Sequence, residues 1–243
     1  MNTSFKIEVK NVETGVSYTI GEQPIACIEL YVPSSGTQTA ILHKIEGLVF
    51  LQDIHDDTKA IDILECANRI LRQNHPHIAS VSLHDTSDFP CHRDYTEDLD
   101  LLIYFLACYG STWYEKNLRA YLAPESLWET YRNEVQAFCS KEKKLETDFD
   151  ILYTRVVESG NVFAIDIFTT YSVILRTMYA NCSTFPEFFQ LLGKIVEHTE
   201  KIRLFQHWLA PFVSSHIQIV RDWKYDLLLP SPLRSLSRSL VVP

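Results

Sequence analysis

Glycine is scarce in this chain, with seven among 243 residues. Loops that cradle phosphates need two or three glycines close together, so that backbone N–H groups can approach the anion, and little material for them is present. The six cysteines, Cys27, Cys66, Cys91, Cys108, Cys139 and Cys182, include no C-x-x-C pair. Dispersed in this way they read as reduced, buried thiols of a cytosolic protein rather than as a disulfide framework. Lys6, Glu8 and Lys10 interrupt the start of the chain, so no secretory signal is expected there. No long apolar run occurs. The closest, Val162–Ala180, contains Asp166, Arg176 and four Thr or Ser residues, and it reads as a buried core helix rather than a membrane span. No G-x-S-x-G elbow precedes any serine, which argues against a Ser-His-Asp hydrolase.

What is present is ordinary for a soluble globular protein: 46% hydrophobic and 22% charged residues. The formal net charge of −9 is unevenly spread. Residues 1–150 hold 24 acidic and 13 basic side chains, and the remainder holds 7 and 9. An acidic front half argues against nucleic acid as the main partner, because attraction to phosphate supplies most non-specific affinity.

The front of the chain has strand periodicity. Residues 5–10 alternate apolar and charged, and Val16–Ile20 returns after a turn at Thr14-Gly15. Ile25–Val32 and one or two strands within Thr39–Leu51 follow, with Gly47 as a bulge or turn. The period then changes. Ile61, Leu64, Ala67 and Leu71 share one face of a helix over 58–73, with Ile70 beside them. Asp56-Asp57-Thr58 caps its start and Asn74-His75-Pro76 ends it. Residues 78–83 form the next strand, and the helix is long enough to make the two flanking strands parallel. An acidic loop over 84–98 leads to a helix at about 98–109, which Gly110 ends in the left-handed region. Trp113 is expected in the core. After residue 123 the chain reads as helical throughout. A capping box is expected at Ser126 and Glu129, Gly160 sits at a helix C-terminus, and a helix spans 162–180. Thr184, Pro186 and Glu187 open another helix, and helix continues over 201–227 with a break at Pro211. The expectation is therefore an α+β protein. A small mixed sheet with crossover helices occupies 1–122, a helical segment occupies 123–227, and an extended arm rich in Pro, Ser and Arg occupies 228–243.

Three segments carry candidate chemistry. The crossover loop Gln52-Asp53-Ile54-His55-Asp56-Asp57-Thr58 joins a strand to a helix N-terminus, a place suited to a phosphate. It has no glycine and three aspartates, which would repel a pyrophosphate by on the order of 1 kcal/mol per pair. Tyr114-Glu115-Lys116 offers a phenol, a suitable acid for a departing thiolate because both groups titrate well above neutrality. The segment 84–94 gathers His84, Asp88, Cys91 and His92 at a strand end, but the spacing matches no strong zinc signature, and a polar loop is the plainer reading. No metal is expected. A surplus of aromatics (Phe163, Phe168, Tyr171, Tyr179, Phe185, Phe188, Phe189, Phe205, Trp208, Phe212, Trp223) is read mostly as a helical core. Two or three exposed together would mark a protein interface. His198, His207 and His216, nine residues apart, do not have ligand spacing on one helix face.

Strand, loop, helix and Tyr-x-Lys together resemble the core of the GNAT acetyltransferase superfamily. That resemblance implies acetyl-CoA as cofactor, held at the helix start by Asp57 and Thr58. It also implies Tyr114 as general acid and a carboxylate, Glu29 or Asp85, as base toward the amine of a polyamine or a basic peptide tail. Over residues 25–122 the order IELYVP, NHPHIASVSLHD-x-SDFPC and YG-x-TWYEK-x-x-x-AYL is similar to an uncharacterised family of large DNA viruses of protists and algae. This implies a protein in the cytoplasm of an infected host cell or in the virion. The leading expectation is a non-enzymatic viral structural or host-interaction protein with a protein partner and no cofactor, built on a degenerate acyltransferase-like scaffold. The alternative is an active N-acetyltransferase using Tyr114.

Overall fold

The computed structural model describes residues 5–22, 26–34, 36–46, 58–85, 88–90, 98–195, 204 and 208–227. It divides into two compact units: Met1–Asp85, Tyr114–Ala123 and Arg221–Pro243 form one, and Thr86–Trp113 with Pro124–Val220 form the other. The mixed α+β class expected from periodicity is what the structure has.

The first unit is built on a sheet of β1 (Ile7–Val12), β2 (Gly15–Glu22), β3 (Ala26–Pro33), β4 (Thr39–Glu46), β5 (Ser80–His84) and β8 (Asp222–Asp226), in that spatial order. The first four strands form an antiparallel meander. Alternation places Tyr18, Ile20, Ile28, Leu30 and Val32 inside, while Ser17, Thr19, Glu29 and Tyr31 are only half-buried. Gly15 is required where β2 meets β3, because a Cβ there would strike the Val32 carbonyl and Tyr31 Cε2. Helix α1 (Thr58–Asn74) crosses over between β4 and β5, which pair in parallel as expected. It lies against β2 and β3, and its buried face is Ile63, Leu64, Ala67, Ile70 and Leu71. It ends at the expected Asn74, where Tyr18 Oη bonds His75 Nε2 at 2.6 Å.

β8 corrects the helical reading of 201–227. Asp222-Trp223-Lys224-Tyr225-Asp226 pairs antiparallel with β5 and buries Trp223 and Tyr225. Tyr225 Oη donates to Asn68 Oδ1 at 2.9 Å and Arg72 donates to the Leu227 carbonyl at 2.6 Å, so both residues tie α1 to the end of the sheet. Burial pushes the Tyr225 phenol well above its usual range. Tyr121 continues the sheet beyond β8 through an antiparallel bridge to Lys224. The chain reaches it from α3 (Trp113–Leu118) through Arg119, whose φ of 54° is left-handed.

In the second unit, β6 (Asp88–Pro90) pairs with β7 (Asp98–Asp100), where an acidic loop was expected. Helix α2 (Leu101–Tyr109) therefore starts three residues later than expected, with Asp100 as its N-cap. Leu101 through Cys108 are all buried, as in a helix surrounded by others. Gly110 ends it in the left-handed region, as expected, with φ 63°, and Trp113 is buried. The helices α4 (Glu125–Phe138), α5 (Lys141–Glu146), α6 (Phe149–Glu158), α7 (Val162–Thr170), α8 (Ser172–Asn181), α9 (Phe185–Ile195) and α10 (Ala210–Ser214) follow. Two corrections apply. α4 is capped at Pro124 with no side-chain bond, so the box at Ser126 and Glu129 does not form. The expected 162–180 helix is two helices, divided at Tyr171. The Thr184 and Glu187 cap does form. Thr184 Oγ1 accepts from the Glu187 N–H at 3.3 Å, and Glu187 accepts from the Ser183 N–H at 2.6 Å. Gly160 follows α6 with φ 67°, the expected place for it. The core stacks Phe138 with Phe185 and Phe189, Phe212 meets Phe185 edge-on, and Trp208 meets Phe168 edge-on with centroids 4.9 Å apart.

Candidate functional site

The parallel ladder of β4 and β5 runs from Thr39↔Ser80 to Leu42↔Leu83 and stops there. Beyond that point Lys44, Ile45 and Glu46 continue to pair with β3. His43 is an extra residue, because Glu29 pairs with Lys44 but Leu30 pairs with Leu42. The C-terminal end of a parallel pair is where α/β sheets hold ligands. Of the residues implied by the acyltransferase resemblance, Glu29 and Asp85 lie near this end.

Glu29 is half-buried on β3, opposite Thr19 and Lys44. Asp85 directly follows β5, is buried, and exchanges two bonds with Arg221. Its N–H donates to the Arg221 carbonyl at 2.7 Å, and its carbonyl accepts from Arg221 Nη1 at 3.0 Å. Two strand spacings separate Glu29 from β5, roughly 10 Å, so the two carboxylates are not a touching pair. Thr58 is the first residue of α1, and Asp57 lies outside the described residues with the rest of the crossover loop. Tyr114 is the second residue of α3 and is 6% exposed. Its carbonyl accepts from the Ala120 N–H at 3.2 Å, which folds the chain back toward Tyr121.

His84 was a candidate metal ligand. In the structure its Nδ1 pairs with Asp222 Oδ1 at 2.7 Å across β5 and β8, with both side chains exposed. Cys91 and His92 lie outside the described residues, and among the described residues no group of three ligating side chains gathers. Asp222 and Arg221 were not legible as site residues, because a helix was expected there. Their one sequence signal is the strict alternation of 222–226. Beside them Tyr121 Oη donates to Asp226 Oδ1 at 3.0 Å, and burial together with that carboxylate raises the phenol above its usual range.

The helical unit has its own candidate surface. Of the surplus aromatics, Phe168, Tyr179, Phe185, Phe188, Phe189, Trp208 and Phe212 are core, and Trp223 belongs to the sheet. Phe163 and Tyr171 are exposed, and with them Val162, Val173 and Ile174, at 74%, 79% and 54%. Phe205, His198 and His207 lie outside the described residues. The opposite sides of α7 and α8 are anchored by Ala164, Ile167, Phe168, Leu175 and Tyr179. Arg176 pairs with Asp150 at 2.5 Å and lies 4.9 Å over the Phe149 ring, which fixes α8 to α6. This pairing holds the Asp150 carboxyl below its usual range. Among the described residues no helix is long and apolar enough to cross a membrane.

Comparison of the chain with family models, with curated proteins and with solved structures gives no match.

Proposed function

We propose that this protein is a non-enzymatic structural or host-interaction protein of a large DNA virus, with an acyltransferase-like sheet that has no cofactor. It works by binding a protein partner whose contact surface is apolar. The observation that carries this reading is the set of exposed apolar side chains that α7, α8 and the turn between them carry: Val162, Phe163, Tyr171, Val173 and Ile174. Large apolar residues grouped on one helix pair are the usual mark of an interface. The glycine-free, three-aspartate crossover loop supports the absence of acetyl-CoA. The burial of Tyr114 supports the absence of catalysis. The test is site-specific photo-crosslinking from position 174 in cells that make the protein, with exposed Glu158 as the control position. A single defined adduct from 174, lost with Val173→Asp, is expected. Equal labelling from both positions would contradict the reading.

The second reading is an active N-acetyltransferase. Two observations favour it: the ladder of β4 and β5 parts after Leu42 and Leu83, and β8 closes the sheet after the helical insertion. A GNAT domain is expected to finish with further strands, and the all-helical reading of the chain end had none. In this reading Tyr114 protonates the thiolate of coenzyme A as it leaves, and Glu29 or Asp85 takes the proton of the amine. Acetyl-CoA-dependent acetylation of a polyamine that disappears in Tyr114→Phe is the result this reading requires.

A further inference from the structure

Among the described residues the sheet ends at β1, which pairs with β2 on one side and with no described strand on the other. All six of its residues are exposed, including Ile7 at 45% and Val9 at 58%. An edge of this kind offers a row of backbone donors and acceptors to another strand. The phase of that row follows from one bond. The Gly21 N–H donates to the Lys6 carbonyl at 2.9 Å, so Lys6 turns its backbone toward β2. Glu8, Lys10 and Val12 share that phase, and Ile7, Val9 and Asn11 point their N–H and C=O groups outward.

We infer that β1 is a self-association edge, pairing antiparallel with β1 of a second copy of this chain about a two-fold axis at Val9. Charge complementarity points to a second copy as the occupant, and strand length joins it in setting the register, since an axis at Ile7 would also set Glu8 against the partner's Lys6 but would pair only the first half of β1. With the axis at Val9, Glu8 faces the partner's Lys10 and Lys10 faces the partner's Glu8. Val9 then faces the partner's Val9, and Ile7 faces the partner's Asn11. An axis at Glu8 would oppose two glutamates and set Lys6 against the partner's Lys10, and an axis at Lys10 would oppose two lysines. Like charges directly opposite are destabilising and opposite charges are favourable. The Val9 register also uses the outward hydrogen-bonding phase at Ile7, Val9 and Asn11. Within each copy Lys6 already pairs with Glu8 at 2.8 Å, so each Glu8 would lie between two lysines. One strand pair buries less than the roughly 1,200 Å² of a standard interface, so the dimer exchanges with monomer and depends on concentration. This interaction involves the sheet unit and does not rest on the exposed residues of α7 and α8.

Sedimentation velocity over a concentration series up to several hundred micromolar tests it with two exposed substitutions. Glu8→Lys alone sets lysine against lysine, and Lys10→Glu alone sets glutamate against glutamate, so each variant is expected to be monomeric where the parent protein dimerises. An equimolar mixture of the two restores both opposite-charge pairs and is expected to dimerise. A parent protein that stays monomeric across the series overturns the inference. So do single variants that dimerise as the parent does, or a mixture that stays monomeric.

Discussion

Cys139 occupies the space that a side chain at Gly110 would need. Gly110 ends α2 with φ 63°, and its N–H donates to the Leu106 carbonyl at 3.0 Å. A Cβ built on it would collide with Cys139 Sγ. Burial pushes the Cys139 thiol up to about 11, so it stays protonated and acts as a packing group.

Gly110→Ala is expected to destabilise by the left-handed penalty, about 1–2 kcal/mol, plus about 1–3 kcal/mol of overpacking. Adding Cys139→Ala should recover the overpacking and leave the conformational cost. Urea unfolding of the two single variants and the double variant measures both parts. Strictly additive losses would mean that the two residues do not share this space.

The helix starts give a paired prediction. Thr184→Ala removes an acceptor for the Glu187 N–H and should cost about 1 kcal/mol. Ser126→Ala should cost almost nothing, because α4 already begins at Glu125 and Ser126 is exposed. Thermal unfolding of the two variants distinguishes them, and equal losses would contradict the observed boundaries.

His216 gives the protein an acid-side weakness. Burial holds its imidazole below the ordinary histidine value, with Arg155 and Lys143 adding to the effect. Its bond to the Phe212 carbonyl at 2.8 Å acts the other way. His75 is likewise lowered by burial and by His77. A folded value below the unfolded one means that the unfolded chain binds more protons. The stabilisation is then fully present above about pH 6.5 and is lost as pH falls through the lowered folded value. The melting temperature should fall from about pH 7 to about pH 5, and His216→Gln should flatten the slope. An unchanged slope in that variant would assign the loss elsewhere.

Local signals were legible where both the cause and its effect lie close in sequence. The 3.6 period of 58–73, the stop at Asn74-His75-Pro76, the Thr184 cap and the Gly110 and Gly160 termini all act within one or two helical turns. β8 was missed although 222–226 alternates strictly, because its partner β5 is far away in the chain: His84 and Asp222 are 138 residues apart. The break at Tyr171 has neither Gly nor Pro to announce it, and Tyr171 departs from helix with φ −102° and ψ 16°. The candidate site was partly legible for the same reason. Glu29 and Asp85 sit on or beside the strands foreseen for them, whereas Tyr114 sits on α3, a short helix that no period announces, and which strands separate the carboxylates is a matter of topology. The pairing of His84 with Asp222 depends on β8. The crossover loop and Cys91 and His92 lie outside the described residues.

The melting temperature of the intact protein with and without millimolar acetyl-CoA tests the non-enzymatic reading most directly. A ligand at about 100 times its dissociation constant stabilises by roughly 2.7 kcal/mol, which is several degrees for a chain of this size. The interaction-protein reading predicts no shift. A shift of several degrees, accompanied by amine acetylation that is lost in Tyr114→Phe, would contradict it and establish the acetyltransferase.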